Sequence, residues 1–266
     1  MIWHTEKVLI IVKAYPTPST KHGETVCTAG ITHSGKWIRL YPIPYRDLPK
    51  DKQYDKFQWV KVDVTSSNEK LGRPESHKVN IETLQPLEKI SLTAGWHERM
   101  KYFLPTVSNS LDELELKKDK HKVSLGAFKP KIVDDFIIDK DDEDWNESKL
   151  KVLQQKSLFN PDKTTLRKVP YKFRYKFHCD NATCKDHDMQ IIDWEIAQAY
   201  WNFKRIYKTE ELTLKVIREK WYTYHFKQRE SYFVVGTDSH WNNFMILTVV
   251  SPKRKTDQLD LFEAVL

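Results

Sequence analysis

Only 7 glycines and 3 cysteines are spread over 266 residues, and no apolar run approaches the roughly 18 residues of a membrane-crossing helix. With so few glycines, no Gly-x-x-x-x-Gly-Lys-Ser/Thr phosphate loop, dinucleotide fingerprint or Gly-x-Ser-x-Gly elbow is built, which disfavours ATP- or NAD-dependent activity. The odd count of Cys27, Cys179 and Cys184 argues against a disulfide framework and suits a reducing compartment. The first residues, Met1 to Glu6, lack the basic and apolar regions of a secretory signal, so the expected location is the cytoplasm, with no membrane partner. Zinc deaminase chemistry needs His-x-Glu together with Pro-Cys-x-x-Cys. His4-Thr5-Glu6 and His22-Gly23-Glu24 supply the first half, but Cys179 and Cys184 are too far apart and neither follows a proline.

What is present is enough apolar content, 39%, to bury a core, together with a formal charge of +7 and 12% aromatics. A basic, ring-rich chain fits a surface drawn to phosphates. The first half reads as short strands. Val8 to Val12 is an apolar run ending before Pro16 and Pro18, Thr25 to Ile31 follows a glycine, and Trp59 to Val64 alternates with period two. His33-Ser34-Gly35-Lys36 is a hairpin turn into Trp37-Ile38-Arg39-Leu40-Tyr41, where Pro42 and Pro44 are expected to stop the ladder. Strands at this spacing imply a small barrel. Helical character follows over 93–104, Ser110 can cap another short helix, and 124–128 and 132–138 return to strand. The acidic run from Asp139 to Asp144 is expected to be a solvated loop.

A change of texture around 160–165 places a soft boundary there. Beyond it Tyr171, Phe173, Tyr175 and Phe177 alternate with Lys172, Arg174, Lys176 and His178, predicting rings on the core face and cations outward. Two helices follow, the first capped by Asp193 with Ile196, Ala199, Tyr200 and Phe203 on its apolar face, the second capped by Thr209; a hairpin through Gly236-Thr237-Asp238 closes the fold.

His178-Cys179-x4-Cys184-x2-His187 carries the strongest metal signal, because thiolates and imidazoles are what zinc prefers. Cys179, Cys184 and His187 are the core of that ligand set, with His178 the preferred fourth and Cys27, Asp186 or His240 as alternatives. Four protein ligands make the site structural, three leave room for water and hence catalysis, and the remaining alternative is ordinary buried thiols that bind nothing. For nucleic acid the candidates are Lys36, Trp37, Arg39, Tyr41 and Arg46 on the N-terminal ridge and Lys172, Arg174 and Lys176 on the basic-aromatic strand, where rings would stack bases and cations would meet phosphates. Scattered acids, Asp134, Asp135, Asp193 and Glu195, leave open a metal-dependent nuclease.

The N-terminal stretch, with Val26-Cys27-Thr28-Ala29-Gly30-Ile31, Gly35-Lys36-Trp37-Ile38-Arg39 and Arg73-Pro74-Glu75-Ser76, resembles the dual-OB-containing domains of bacterial proteins over about 85 residues. The resemblance implies OB-like barrels, with Ser124 to Pro130 opening a second one. Leu40-Tyr41-Pro42 departs from that pattern, and the cysteine-histidine loop lies outside it. Gln258-Leu259-Asp260-Leu261-Phe262 is similar to the clamp-binding motif of bacterial replication and repair proteins. That similarity implies that Leu261 and Phe262 fill an apolar cleft on the sliding clamp while Gln258 bonds at its rim.

The expected protein is therefore α+β: an OB-like barrel region over 1–160, a zinc-stapled strand, two-helix and hairpin unit over 161–252, and a flexible clamp-binding tail over 253–266. Its expected function is to bind DNA, single-stranded or otherwise exposed, while tethered to the bacterial sliding clamp, in replication-coupled repair or in defence against foreign (phage) DNA. Binding is favoured over enzymatic activity. The alternatives are a clamp-recruited nuclease and a small-ligand or modified-base sensor walled by Trp37, Tyr41 and Trp59.

Overall fold

A computed structural model describes residues 2–19, 23–67, 72–92, 95–159, 164–180, 184–238 and 243–254. The first apolar run lies in β1 (His4–Lys13), followed by β2 (Thr17–Ser19), β3 (Gly23–Thr32), β4 (Trp37–Ile43), β5 (Gln58–Ser66) and β6 (Ser76–Lys89). Five of these close on themselves in the order β1-β3-β4-β6-β5-β1, with β4 and β6 parallel and the other pairs antiparallel. This small closed barrel is consistent with the OB-like expectation. Gly35, at φ 80°, turns the β3–β4 hairpin as expected. β4 does not stop at Pro42. It runs on to Ile43, which pairs with Val26 across a register shift, and this irregularity accommodates a residue that has no donor.

The second half begins with α1 (Gly95–Phe103), β7 (Val107–Ser108), α2 (Leu111–His121), β8 (Leu125–Phe128), β9 (Ile132–Lys140) and α3 (Glu147–Phe159). It continues through β10 (Tyr171–His178), β11 (His187–Ile191), α4 (Trp194–Tyr207) and α5 (Glu210–Arg218), which runs into a π-helical segment, Glu219–Lys227. β12 (Tyr232–Thr237) and β13 (Phe244–Val250) complete it. Its seven strands line up as β7-β8-β12-β13-β11-β10-β9. Because β8 pairs with β12 and β9 with β10, the sheet runs straight across the boundary expected near residue 160. The segment expected to open a second barrel instead supplies β8 to this open sheet. Among the described residues no helix is long and apolar enough to cross a membrane.

Alternation explains how the halves meet. Val8 and Ile10 point into the barrel with Val26, Ile38, Val60 and Val62, while Leu9 and Ile11 point out of it. The outward pair packs with Trp59, Leu125, Ala127, Tyr232, Val234 and Leu247, so one apolar layer belongs to both barrel and sheet. A strand buried on both faces reads as an unbroken apolar run, which is what Val8 to Val12 is. The far face of the sheet, with Phe173, Tyr175, Phe177 and Phe233, packs against Ile196, Ala199 and Tyr200 of α4 and Ile217 of α5. Asp193 caps α4 by accepting from the Glu195 N–H at 3.0 Å, and Ser110 caps α2 by accepting from the Glu113 N–H at 3.2 Å. Thr209 precedes α5 without a side-chain cap; its carbonyl accepts the Thr213 hydroxyl at 2.7 Å.

Candidate metal and nucleic-acid sites

β10 ends at His178 and β11 begins at His187, and the connection folds back so that the ligand atoms of Cys179, Cys184 and His187 lie within 4.8 Å of one another. The Cys184 sulfur is 3.3 Å from His187 Nε2 and accepts the Cys179 N–H at 3.1 Å. Tetrahedral zinc bonded to sulfur at 2.3 Å separates two such ligands by about 3.8 Å, so two thiols and an imidazole at this spacing fit a metal ion. Burial pushes the Cys179 thiol up to about 11, and burial likewise lowers His187. His178, expected as fourth ligand, stands apart: alternation turns it off the Phe177 face, and its ring nitrogens lie 3.2 Å from Asp134 and 3.3 Å from Asp186. Cys27 belongs to the barrel strand β3, and His240 lies outside the described residues.

The expected nucleic-acid residues divide. Arg39 is not on the surface: only 7% exposed, it donates to the Thr237 carbonyl at 3.2 Å and the Ser124 carbonyl at 3.0 Å, clamping barrel to sheet. Lys36 is exposed, Trp37 half-buried against the shared core, and the Tyr41 hydroxyl accepts from Thr25 at 3.4 Å. On β10 the rings are buried and the cations face outward, but acids meet them. Arg174 pairs with Asp139 at 2.8 Å and with Asp188, Lys172 pairs with Asp141 at 3.2 Å, and Lys176 is exposed opposite Asp135 and Asp188. The acidic run, whose first residue Asp139 lies in β9, thus begins as ion-pair partners rather than as a free loop.

Arg46 leads to a site that sequence alone does not assemble. It pairs with Glu24 at 2.8 Å and edges a cleft of about 450 Å³ between the barrel and α4. Trp194, Gln198, Trp201 and Arg205, at i, i+4, i+7 and i+11, give α4 a cleft-facing stripe beside its buried face. Tyr15 after β1 and Arg167 before β10 close the sides. The Arg167 guanidinium lies 3.8 Å from the Trp201 ring centroid, and its carbonyl accepts the Tyr15 hydroxyl at 2.8 Å. Among the described residues no carboxylate lines the cleft; Glu24 and Glu210 neutralise Arg46 and Lys204 at its margin, while Arg167 and Arg205 pair with no described carboxylate. The seven-residue spacing of Trp194 and Trp201 is the signal of this cleft that the sequence carries.

The acids considered for a nuclease do not converge. Asp193 and Glu195 hold Lys56 at 3.4 and 2.9 Å, Asp135 holds Arg218 at 2.5 Å, and Asp134 faces His178. Trp59, expected to wall a ligand pocket with Trp37 and Tyr41, is packed edge-on against Tyr102 at 5.2 Å in the shared core. Gln258, Leu259, Asp260, Leu261 and Phe262 lie outside the described residues.

The molecule is thus a mixed α+β protein: a five-stranded closed barrel joined through a common core to a seven-stranded sheet that carries a potential metal-binding cysteine-histidine group. The chain belongs to the family described as Domain of unknown function (DUF8757), which matches residues 107–266. Residues 4–105 match a second family, Domain of unknown function (DUF8758), so the two matches meet between barrel and sheet. No curated protein matches the chain.

Proposed function

We propose that this protein binds single-stranded or exposed DNA and is held at the bacterial sliding clamp by its C-terminal motif, in replication-coupled repair or defence against foreign DNA. The observation that carries the binding is the cleft beside the barrel, where Tyr15, Trp194 and the layered Trp201–Arg167 pair offer planes to bases and Arg205 offers charge to phosphates. Fluorescence anisotropy with labelled single-stranded oligonucleotides tests it. Arg167→Ala/Arg205→Ala and Trp201→Ala are each expected to weaken binding by about tenfold or more, as loss of a base-stacking plane does. Unchanged affinity in both, or no binding by the wild type at low salt, removes the reading.

Clamp tethering rests on the sequence of Gln258 to Phe262. A short linker gives an effective concentration on the order of millimolar, so a modest DNA affinity suffices. Purified clamp should be retained by wild-type protein and lost by Leu261→Ala/Phe262→Ala; equal retention would show that the motif is not the tether.

The metal is zinc, held by Cys179, Cys184, His187 and a fourth protein ligand beyond these three, and its role is to pin the connection between β10 and β11. Elemental analysis after gel filtration should find zinc with the wild type and little with Cys184→Ser, and chelation should lower the melting temperature. Wild-type protein that carries no zinc after passage through zinc-containing buffer contradicts the assignment.

A further inference from the structure

We infer that a second basic surface, remote in sequence from the cleft residues, grips the phosphate backbone of double-stranded DNA; the inference rests on the DNA-binding reading above and names a further substrate form. Two clefts of about 460 and 490 Å³ share Arg229 and Arg254 and so form one groove. Its walls are the turn between β8 and β9, the end of the π-helical segment and the residues after β13. Lys129, Lys131, Lys227, Arg229, Lys253 and Arg254 line it.

Two described acids answer these six cations. Lys129 pairs with Glu230 at 2.8 Å, and Lys131 pairs with Asp180 at 2.7 Å in a contact exposed on both sides. Lys227, Arg229, Lys253 and Arg254 are ion-paired with no described carboxylate. Arg254 donates to the Lys227 carbonyl at 2.7 Å, which holds the last described residues against the groove.

The rings here are already engaged. Lys227 stands 4.9 Å from the centre of Tyr222 and Arg229 4.7 Å from that of Tyr224, while Phe226 packs on Tyr175 and Phe233. Cations that meet no described carboxylate, beside ring faces they already cover, contact phosphates without stacking bases, which is how a protein holds a duplex regardless of sequence. Arg254 in this groove stands four residues before Gln258 in the sequence, so the groove and the clamp motif are neighbours along the chain.

Two exposed groove residues make the test safe for folding: Lys227→Glu/Lys253→Glu, compared with Arg167→Ala/Arg205→Ala and the wild type. Each is titrated with a single strand, a blunt duplex and a duplex bearing a single-stranded overhang, across salt concentrations. The groove variant should keep single-strand affinity and lose about tenfold for both duplex substrates, with the slope of log K against log salt shallower by about 2. The cleft variant should show the reverse, so failure of one site is separable from failure of the other. Wild-type duplex affinity and slope retained by the groove variant would overturn the inference. So would binding of wild type to phosphatidylserine vesicles, lost in the groove variant, with no duplex binding by either protein.

Discussion

Lys56→Met is expected to destabilise the protein by about 3–5 kcal/mol, the usual cost of leaving a buried charge without its partner. Lys56 sits just before β5, yet its ammonium crosses to the sheet half, 3.4 Å from Asp193, 2.9 Å from Glu195 and 2.6 Å from the Thr248 hydroxyl. Burial disfavours the charged amine, but the two carboxylates outweigh burial and hold its pKa above the ordinary lysine value. Asp193 is 2% exposed, so removing the cation strands a carboxylate that water cannot reach, whereas Glu195 keeps its outer edge in solvent. A thermal melt should show a drop of about 10 °C for a domain of this size. The double variant Lys56→Met/Asp193→Asn, which keeps the α4 cap and removes the stranded charge, should recover most of the loss. A single variant that melts with the wild type would mean that Lys56 and Asp193 are not partnered in solution.

This joint also marks where sequence reading stops. Period-two patterns located β5 and β10, because side chains on successive strand residues must face opposite ways, while an unbroken apolar run located β1 and the turns at Gly23 and Gly35 located β3 and β4. The apolar face of α4 and the Asp193 cap were legible for the same local reason. Cys179, Cys184 and His187 were legible because their ligand atoms are close in sequence as well as in space. What a period cannot give is the long-range partner. Nothing in Leu125 to Phe128 says that it pairs with β12 rather than beginning another barrel, and the texture change at 160 is a change of local composition inside one sheet. Arg39 was misplaced on the surface for a related reason: β4 is covered on both faces, so the position that alternation leaves outside the barrel meets Ser124 and Thr237 instead of water. The cleft draws on residues 15, 46, 164–167 and 194–205, brought together only by tertiary packing.

Acidification should expose a second weakness at the same joint. His225, in the π-helical segment, has its Nδ1 buried with no hydrogen-bond partner among the described residues. Burial, reinforced by the positive charges of Lys220, Lys56 and Arg229 and only partly opposed by Glu195, pushes its pKa down to about 4. In the unfolded chain the imidazole takes a proton near pH 6.5, but in the fold it resists until about pH 4. The unfolded state therefore binds the extra proton between those values, and folding stability falls as pH falls through that window, by up to about 3 kcal/mol, levelling off below it. Above pH 6.5 the group is neutral in both states and contributes no slope. His225→Phe removes both the titration and the unpaired nitrogen, so urea unfolding at pH 7.5 should give a variant at least as stable as wild type, and the variant should lose less stability on going to pH 4.5. Parallel stability curves for the two proteins across that range would show that His225 is solvated and titrates normally.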